Sequence, residues 1–181
     1  MTRAFFRSVG VFLFCWLPLA AQPDALDTAQ PSQLRSADSM PVADRVVVYK
    51  SERKLLLMRG DDVLRTYRIS LGLNPIGHKE RAGDFRTPEG RYRLTRRNPR
   101  SDFFLSIQVS YPNEQDLRRA RRNGWDSGGS IMIHGLPNNM RHPPAWYESR
   151  DWTDGCIALS NSDMLELWLL VADNAAIDIL P

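Results

Sequence analysis

Residues 130–161 read S-I-M-I-H-G-L-P-N-N-M-R-H-P-P-A-W-Y-E-S-R-D-W-T-D-G-C-I-A-L-S-N. Ser130 to His134 is a short apolar strand that ends on a histidine followed by Gly135. Thr153-Asp154-Gly155-Cys156 is a turn that leads through Ile157-Ala158-Leu159 into an apolar-faced helix. A thiol attacks only as thiolate, so it needs a nearby base or positive dipole. A histidine within about 3–4 Å can take the proton. A glycine beside the nucleophile frees backbone N–H groups to hold a developing oxyanion. Three readings follow from these residues: a Cys156–His134 pair, a small core cysteine with a satisfied structural histidine, or a metal held by His134, His142 and Cys156. No H-E-x-x-H or C-x-x-C spacing supports the metal, so neither metal nor cofactor is expected. Trp146, Tyr147 and Trp152 lie between histidine and cysteine, either as a lid over a groove or as anchors of a long loop.

The segments around this stretch read as β-structure. Val46 to Tyr49 is a β-branched run, and Lys54 to Met58 is a second. Arg59 to Asp62 is a turn, and Val63 to Leu71 alternates in part. Asn74-Pro75-Ile76-Gly77 breaks the chain. Arg91 to Thr95 and Phe103 to Val109 are further strands, and Ala176 to Leu180 closes the domain. Two helices are expected. One is a polar segment, Asn113 to Asn123, bounded by Pro112 and Gly124. The other runs from Asn161 to Asp173, with Met164, Leu165, Trp168, Leu169 and Ala172 on its apolar face and a Ser160/Asp163 capping box. The fold class is therefore mainly β with peripheral helices, a sandwich or barrel.

The chain has 181 residues, 43% apolar and 25% charged, which suits one soluble domain with a modest extension. A net charge of +3 gives no reason to expect nucleic acid as a partner. Residues 1–21 read as an export signal, with Arg3 and Arg7 before the apolar run Val9 to Leu19, then Ala20-Ala21. An uncleaved anchor is the other reading of that run. Residues 22–43 are a proline-containing linker, and 44–181 form the folded domain. Cleavage would leave Cys156 as the one remaining cysteine of two. An unpaired thiol in an oxidising compartment is either inert or functional.

The histidine strand and the T-D-G-C turn, with His134 and Cys156 22 residues apart, resemble the L,D-transpeptidase catalytic (YkuD-type) domain. A second match lies upstream, in S-L-G-L-N-P-I-G-H-K-E from Ser70 and G-D-F-R-T-P-E-G-R-Y from Gly83. The resemblance spans residues 45–180 and implies a β-sandwich-like, exported, peptidoglycan-directed cysteine acyltransferase of the periplasm or cell envelope. It implies Cys156 as nucleophile and His134 as general base and acid. Gly135, Gly155, Thr153 and Asp154 would support the oxyanion site. The implied partners are peptidoglycan stem peptides and a wall-attached lipoprotein. Two positions depart from the commonest family pattern. Asp154 stands where histidine is usual, and Ala158 where arginine is usual. Arg141, Arg150 and Arg86 are the candidates to hold the substrate in place of that arginine, with Trp152 beside them. A turn of this kind also suits a hydrolase that cuts such linkages. A non-catalytic wall-binding module is the remaining reading.

Overall fold

The computed structural model describes residues 42–181. The expected export signal and the linker up to residue 41 lie outside the described residues. Among the described residues, eight strands and three helices follow in chain order. They are β1 (Ala43–Tyr49), β2 (Lys54–Arg59), β3 (Asp62–Arg68), β4 (Gly90–Ser101), β5 (Phe104–Val109), α1 (Glu114–Asn123), β6 (Met132–His134), α2 (Pro144–Glu148), β7 (Ile157–Ala158), α3 (Asn161–Leu170) and β8 (Val171–Leu180).

The strands form one sheet in the order β3-β2-β1-β8-β4-β5-β6-β7. The pairs β1–β8 and β6–β7 are parallel, and the others are antiparallel. Strand β4 belongs to both halves of the sheet. Its first four residues, Gly90 to Arg93, pair with β8, and the stretch from Leu94 to Ser101 pairs with β5 through register shifts. Such irregularities bend a strand and increase its twist. The sheet curls there, and both halves feed one core: Val46, Leu57 and Ile177 from one side join Ile107, Ile133 and Ile157 from the other. The expected mainly β fold is thus built on a single curled sheet. Alternation holds in β4, where Tyr92 and Leu94 are buried and Arg91 and Arg93 face water.

Helix α1 forms where expected. Asn113 accepts hydrogen bonds from the N–H groups of Gln115 and Asp116, Asp116 answers to the Asn113 N–H, and Gly124 ends the helix in the left-handed region. Helix α3 differs from expectation. It stops at Leu170 rather than Asp173, and β8 begins at Val171 rather than Ala176. Val171 pairs with Ala43 of β1, so a β-branched residue enters the sheet instead of adding a helical turn. The buried face of α3 is Met164, Leu167 and Leu170, while Leu165 and Leu169 are exposed. Helix α2, not expected from the sequence, starts directly after Pro143. Among the described residues, no helix is long and apolar enough to cross a membrane.

Candidate active site

Strands β6 and β7 place the two reactive side chains. They pair in register, Ile133 opposite Ile157 and His134 opposite Ala158. Ile133 and Ile157 are fully buried in the core. Side chains alternate along a strand, so His134 and Cys156, each next to one of these isoleucines, project to the other side. Both line a cavity of about 710 Å³. Truncating either isoleucine to alanine would cost about 2–5 kcal/mol and loosen the frame of the site.

The Cys156 thiol is half-buried. Its Sγ accepts a hydrogen bond from the Met132 N–H at 3.4 Å and lies 3.7 Å from the Ser130 carbonyl oxygen. Burial pushes the thiol pKa up. The Met132 N–H opposes that rise, and the negative charge of Asp154 adds to it. His134 Nδ1 lies 2.7 Å from the Gly135 carbonyl oxygen. A carbonyl only accepts, so Nδ1 carries the hydrogen and Nε2 is left as the base. The ring packs against Phe103, 4.6 Å between centroids, and edge-on to Trp152 at 5.6 Å. Burial drives the imidazole pKa down to about 4. Among the described residues no hydrogen bond joins the imidazole to Sγ. Both shifts favour a neutral thiol and a neutral imidazole in the free protein.

The T-D-G-C turn is fixed from within. Thr153 Oγ1 accepts from the Gly155 N–H at 3.1 Å and donates to the Cys156 carbonyl at 2.8 Å. Gly155 has φ +125°, and a Cβ there would stand 2.6 Å from the Arg86 carbonyl oxygen. The segment after β3 runs alongside: Ser70 bridges to Ala158, and Gly72 to Thr153. The backbone amides of the two glycines expected to support the oxyanion site are already engaged. The Gly135 N–H donates to the Phe103 and Leu105 carbonyls, and the Gly155 N–H to Thr153. The Cys156 N–H has no partner among the described residues.

The expected arginines are displaced from this picture. Arg86, Arg141 and Arg150 do not line the cavity; Lys79 and Arg100 do. Local partners hold the three elsewhere. Arg86 reaches the His78 carbonyl and Glu80, Arg150 lies over the Trp146 ring, and Arg141 is exposed with its N–H on the Tyr147 hydroxyl. Lys79 is buried and paired with Asp84 at 2.7 Å. Burial opposes ionisation of Asp84, but Lys79 and the N–H groups of Glu80, Arg81 and Arg86 outweigh it and hold the pKa down. The long loop is anchored rather than lid-like. Tyr147 is buried, its carbonyl accepts from Ser70 Oγ at 2.8 Å, and Asp151 pairs with Arg53 at 2.7 Å. Of its aromatic residues, Trp152 reaches the cavity, while Trp146 stacks on His142 at 4.2 Å. No group of three His, Cys, Asp or Glu residues that could hold a metal ion is found among the described residues.

This geometry can be set against known proteins. YafK of Escherichia coli, which carries a provisional L,D-transpeptidase name, is 34% identical over 132 residues, 70% of this chain and 46% of YafK. The chain therefore spans about half the length of the curated relatives it matches. The crystal structure of the helical cell shape determining protein Pgp2 from Campylobacter jejuni superposes with a TM-score of 0.58 at 26% identity, covering 76% of this chain and 47% of Pgp2. Bd1075 of Bdellovibrio bacteriovorus shares the fold, with a TM-score of 0.51 at 23% identity over 78% of this chain and 51% of its own. The family model for the L,D-transpeptidase catalytic domain, YkuD, matches residues 43–179. That match runs from the first residue of β1 almost to the end of β8, and the chain belongs to the L,D-transpeptidase catalytic domain family.

Proposed function

We propose that this protein is an exported cysteine acyltransferase of the peptidoglycan wall, acting in the periplasm or cell envelope. The observation that carries the reading is the half-buried Cys156 thiol in one cavity with His134, whose Nδ1–H is committed to the Gly135 carbonyl. As a peptide docks, Nε2 of His134 takes the thiol proton. The sulfur attacks the carbonyl carbon of the diaminopimelyl L-centre in a stem tetrapeptide. The Cys156 N–H stands ready for the oxygen that becomes negative. His134 then returns the proton to the departing amine of D-alanine as the C–N bond breaks, leaving a thioester. An acceptor amine attacks that thioester, loses its proton to His134, and the thiol re-forms. With the site neutral at rest, the ion pair exists only once substrate is bound.

The test is intact-protein mass spectrometry of the mature protein with a diaminopimelate-containing tetrapeptide, beside Cys156→Ala. A mass gain equal to the tripeptide acyl group, absent in the variant, supports the reading. Folded protein with neither adduct nor turnover removes it and favours a wall-binding module.

A second reading keeps the thioester and changes the acceptor to water, which gives an L,D-endopeptidase or amidase that also releases wall-attached lipoprotein. It is favoured by Asp154 beside the thiol and by Ala158, which is buried in the β7 ladder where the usual arginine would stand. Net release of peptide or lipoprotein from sacculi, with no new cross-links, would select it over the transferase.

A further inference from the structure

Strands β4 and β5 are joined by a two-residue turn, Asp102-Phe103, with Ser101 opposite Phe104. Arg100, Asp102 and Phe103 all line the cavity that holds Cys156 and His134. Asn138 pins this turn from the far side: its Oδ1 accepts from the Phe104 N–H, its Nδ2 donates to the Ser101 carbonyl, and its N–H donates to the Asp102 carbonyl, each at 2.9 Å. The turn is therefore a fixed edge, and the ring of Phe103 is in contact with the imidazole. Arg100 and Asp102 stand two residues apart on that edge, yet they form no ion pair with each other. Neither the Arg100 guanidinium nor the Asp102 carboxylate has a side-chain partner among the described residues. The other cation on the wall, Lys79, is neutralised by Asp84.

Two adjacent, opposite and unmatched charges fit a ligand that carries both signs on one carbon. A lone carboxylate would satisfy Arg100 and be repelled by Asp102; a polyanion would be repelled by Asp102 and by Asp154, which lines the same cavity. We propose that the Arg100/Asp102 turn reads the zwitterionic end of the diaminopimelyl side chain. Arg100 grips its carboxylate and Asp102 its ammonium group, which sets the acyl donor at the thiol. This inference rests on the acyl-donor reading above and supplies the specificity residues that Arg86, Arg141 and Arg150 do not.

The test measures binding in the full mature chain carrying Cys156→Ala, so that turnover is not needed. Calorimetry would compare the diaminopimelate tetrapeptide with its lysine counterpart, which keeps the ammonium group and lacks the carboxylate. The diaminopimelate peptide should bind about tenfold tighter, the scale of a partly solvated charge-assisted pair. Adding Arg100→Ala should erase that preference, and Arg100→Lys should restore part of it. Asp102→Asn should weaken both peptides alike. Arg100 and Asp102 are exposed, and unchanged melting of these variants would confirm intact folds. A preference that survives Arg100→Ala, or equal binding of both peptides, overturns the role of the turn and leaves the acyl-donor reading standing. Binding of neither peptide overturns both.

Discussion

Replacing Gly155 by alanine tests whether the T-D-G-C turn is built around a missing side chain. At φ +125° an L-residue is strained, which costs about 1–3 kcal/mol. The new Cβ would also meet the Arg86 carbonyl oxygen at 2.6 Å and Ile131 Cδ1 at 3.4 Å. The oxygen is backbone and cannot swing away, so relief requires moving the loop or the turn, for about 1–3 kcal/mol more. The total is about 2–6 kcal/mol, or roughly 6–24 °C in melting temperature for a domain of this size. Gly60→Ala is the control, because Gly60 has φ +57° but a Cβ added there would meet nothing within 4 Å. It should lose only about 1 kcal/mol. Calorimetric melting measures the stability of both variants, and iodoacetamide alkylation of Cys156 reports the turn. Where Gly155→Ala folds, displacement of the turn should slow acylation at least about tenfold, through the Thr153 bonds to Gly155 and Cys156. Melting within about 2 °C of the wild type, with alkylation unchanged, would refute the reasoning, since the strain and the contact would then both be harmless.

Further outcomes can be checked on the same protein. Asp154→Asn should lower the pH midpoint of Cys156 alkylation and speed alkylation at pH 7, by less than the gain in thiolate because a thiolate of lower pKa is less nucleophilic; an unmoved midpoint would remove Asp154 from control of the thiol. Burial holds His134 neutral down to about pH 4, while the unfolded chain protonates near pH 6.5. The unfolded state thus binds more protons in that window, so acidification from pH 6.5 to 4 should cost up to about 3 kcal/mol that His134→Gln does not lose; parallel urea-denaturation curves for the two proteins would contradict this. Thr153→Val leaves the Gly155 N–H and the Cys156 carbonyl without their partner and should cost about 1–3 kcal/mol, with Thr153→Ser close to wild type; equal denaturant midpoints would show that the hydroxyl contributes nothing.

Local chemistry made much of the fold readable from sequence. The β-branched run before Tyr49, the Pro112–Gly124 brackets of α1 and the alternation around Tyr92 each carry their conformation in their own residue types. The end of α3 does not. No glycine or proline marks it, the apolar pattern continues through Val171-Ala172, and what stops the helix is pairing with Ala43, remote in sequence. The buried face of α3 is ambiguous in sequence for a related reason, because several registers of N-S-D-M-L-E-L-W-L-L present apolar side chains. Helix α2 does carry a signal, Pro143-Pro144 at its start, which a short segment inside a long loop obscures. At the site, the histidine strand and the cysteine turn announce themselves by residue type. The cations do not, because an arginine reaches several ångströms in any direction and its partner decides which. Trp146 takes Arg150, and Glu80 with the His78 carbonyl takes Arg86. Arg100 comes to the cavity because the β4–β5 turn ends there.

The parallel pairing of β1 with β8 has a mechanical consequence. Ala43 begins β1 and lies against Val171, while Leu180 near the end of β8 lies against Tyr49. Tension applied between the start of β1 and the end of β8 pulls the two strands along their length in opposite directions. The ladder is then loaded in shear, with its hydrogen bonds strained together, rather than unzipped one at a time. These strands sit in the interior of the sheet, flanked by β2 and β4. The domain is therefore braced along the line that joins its two ends, a useful property for a protein whose proposed substrate is a polymer under tension.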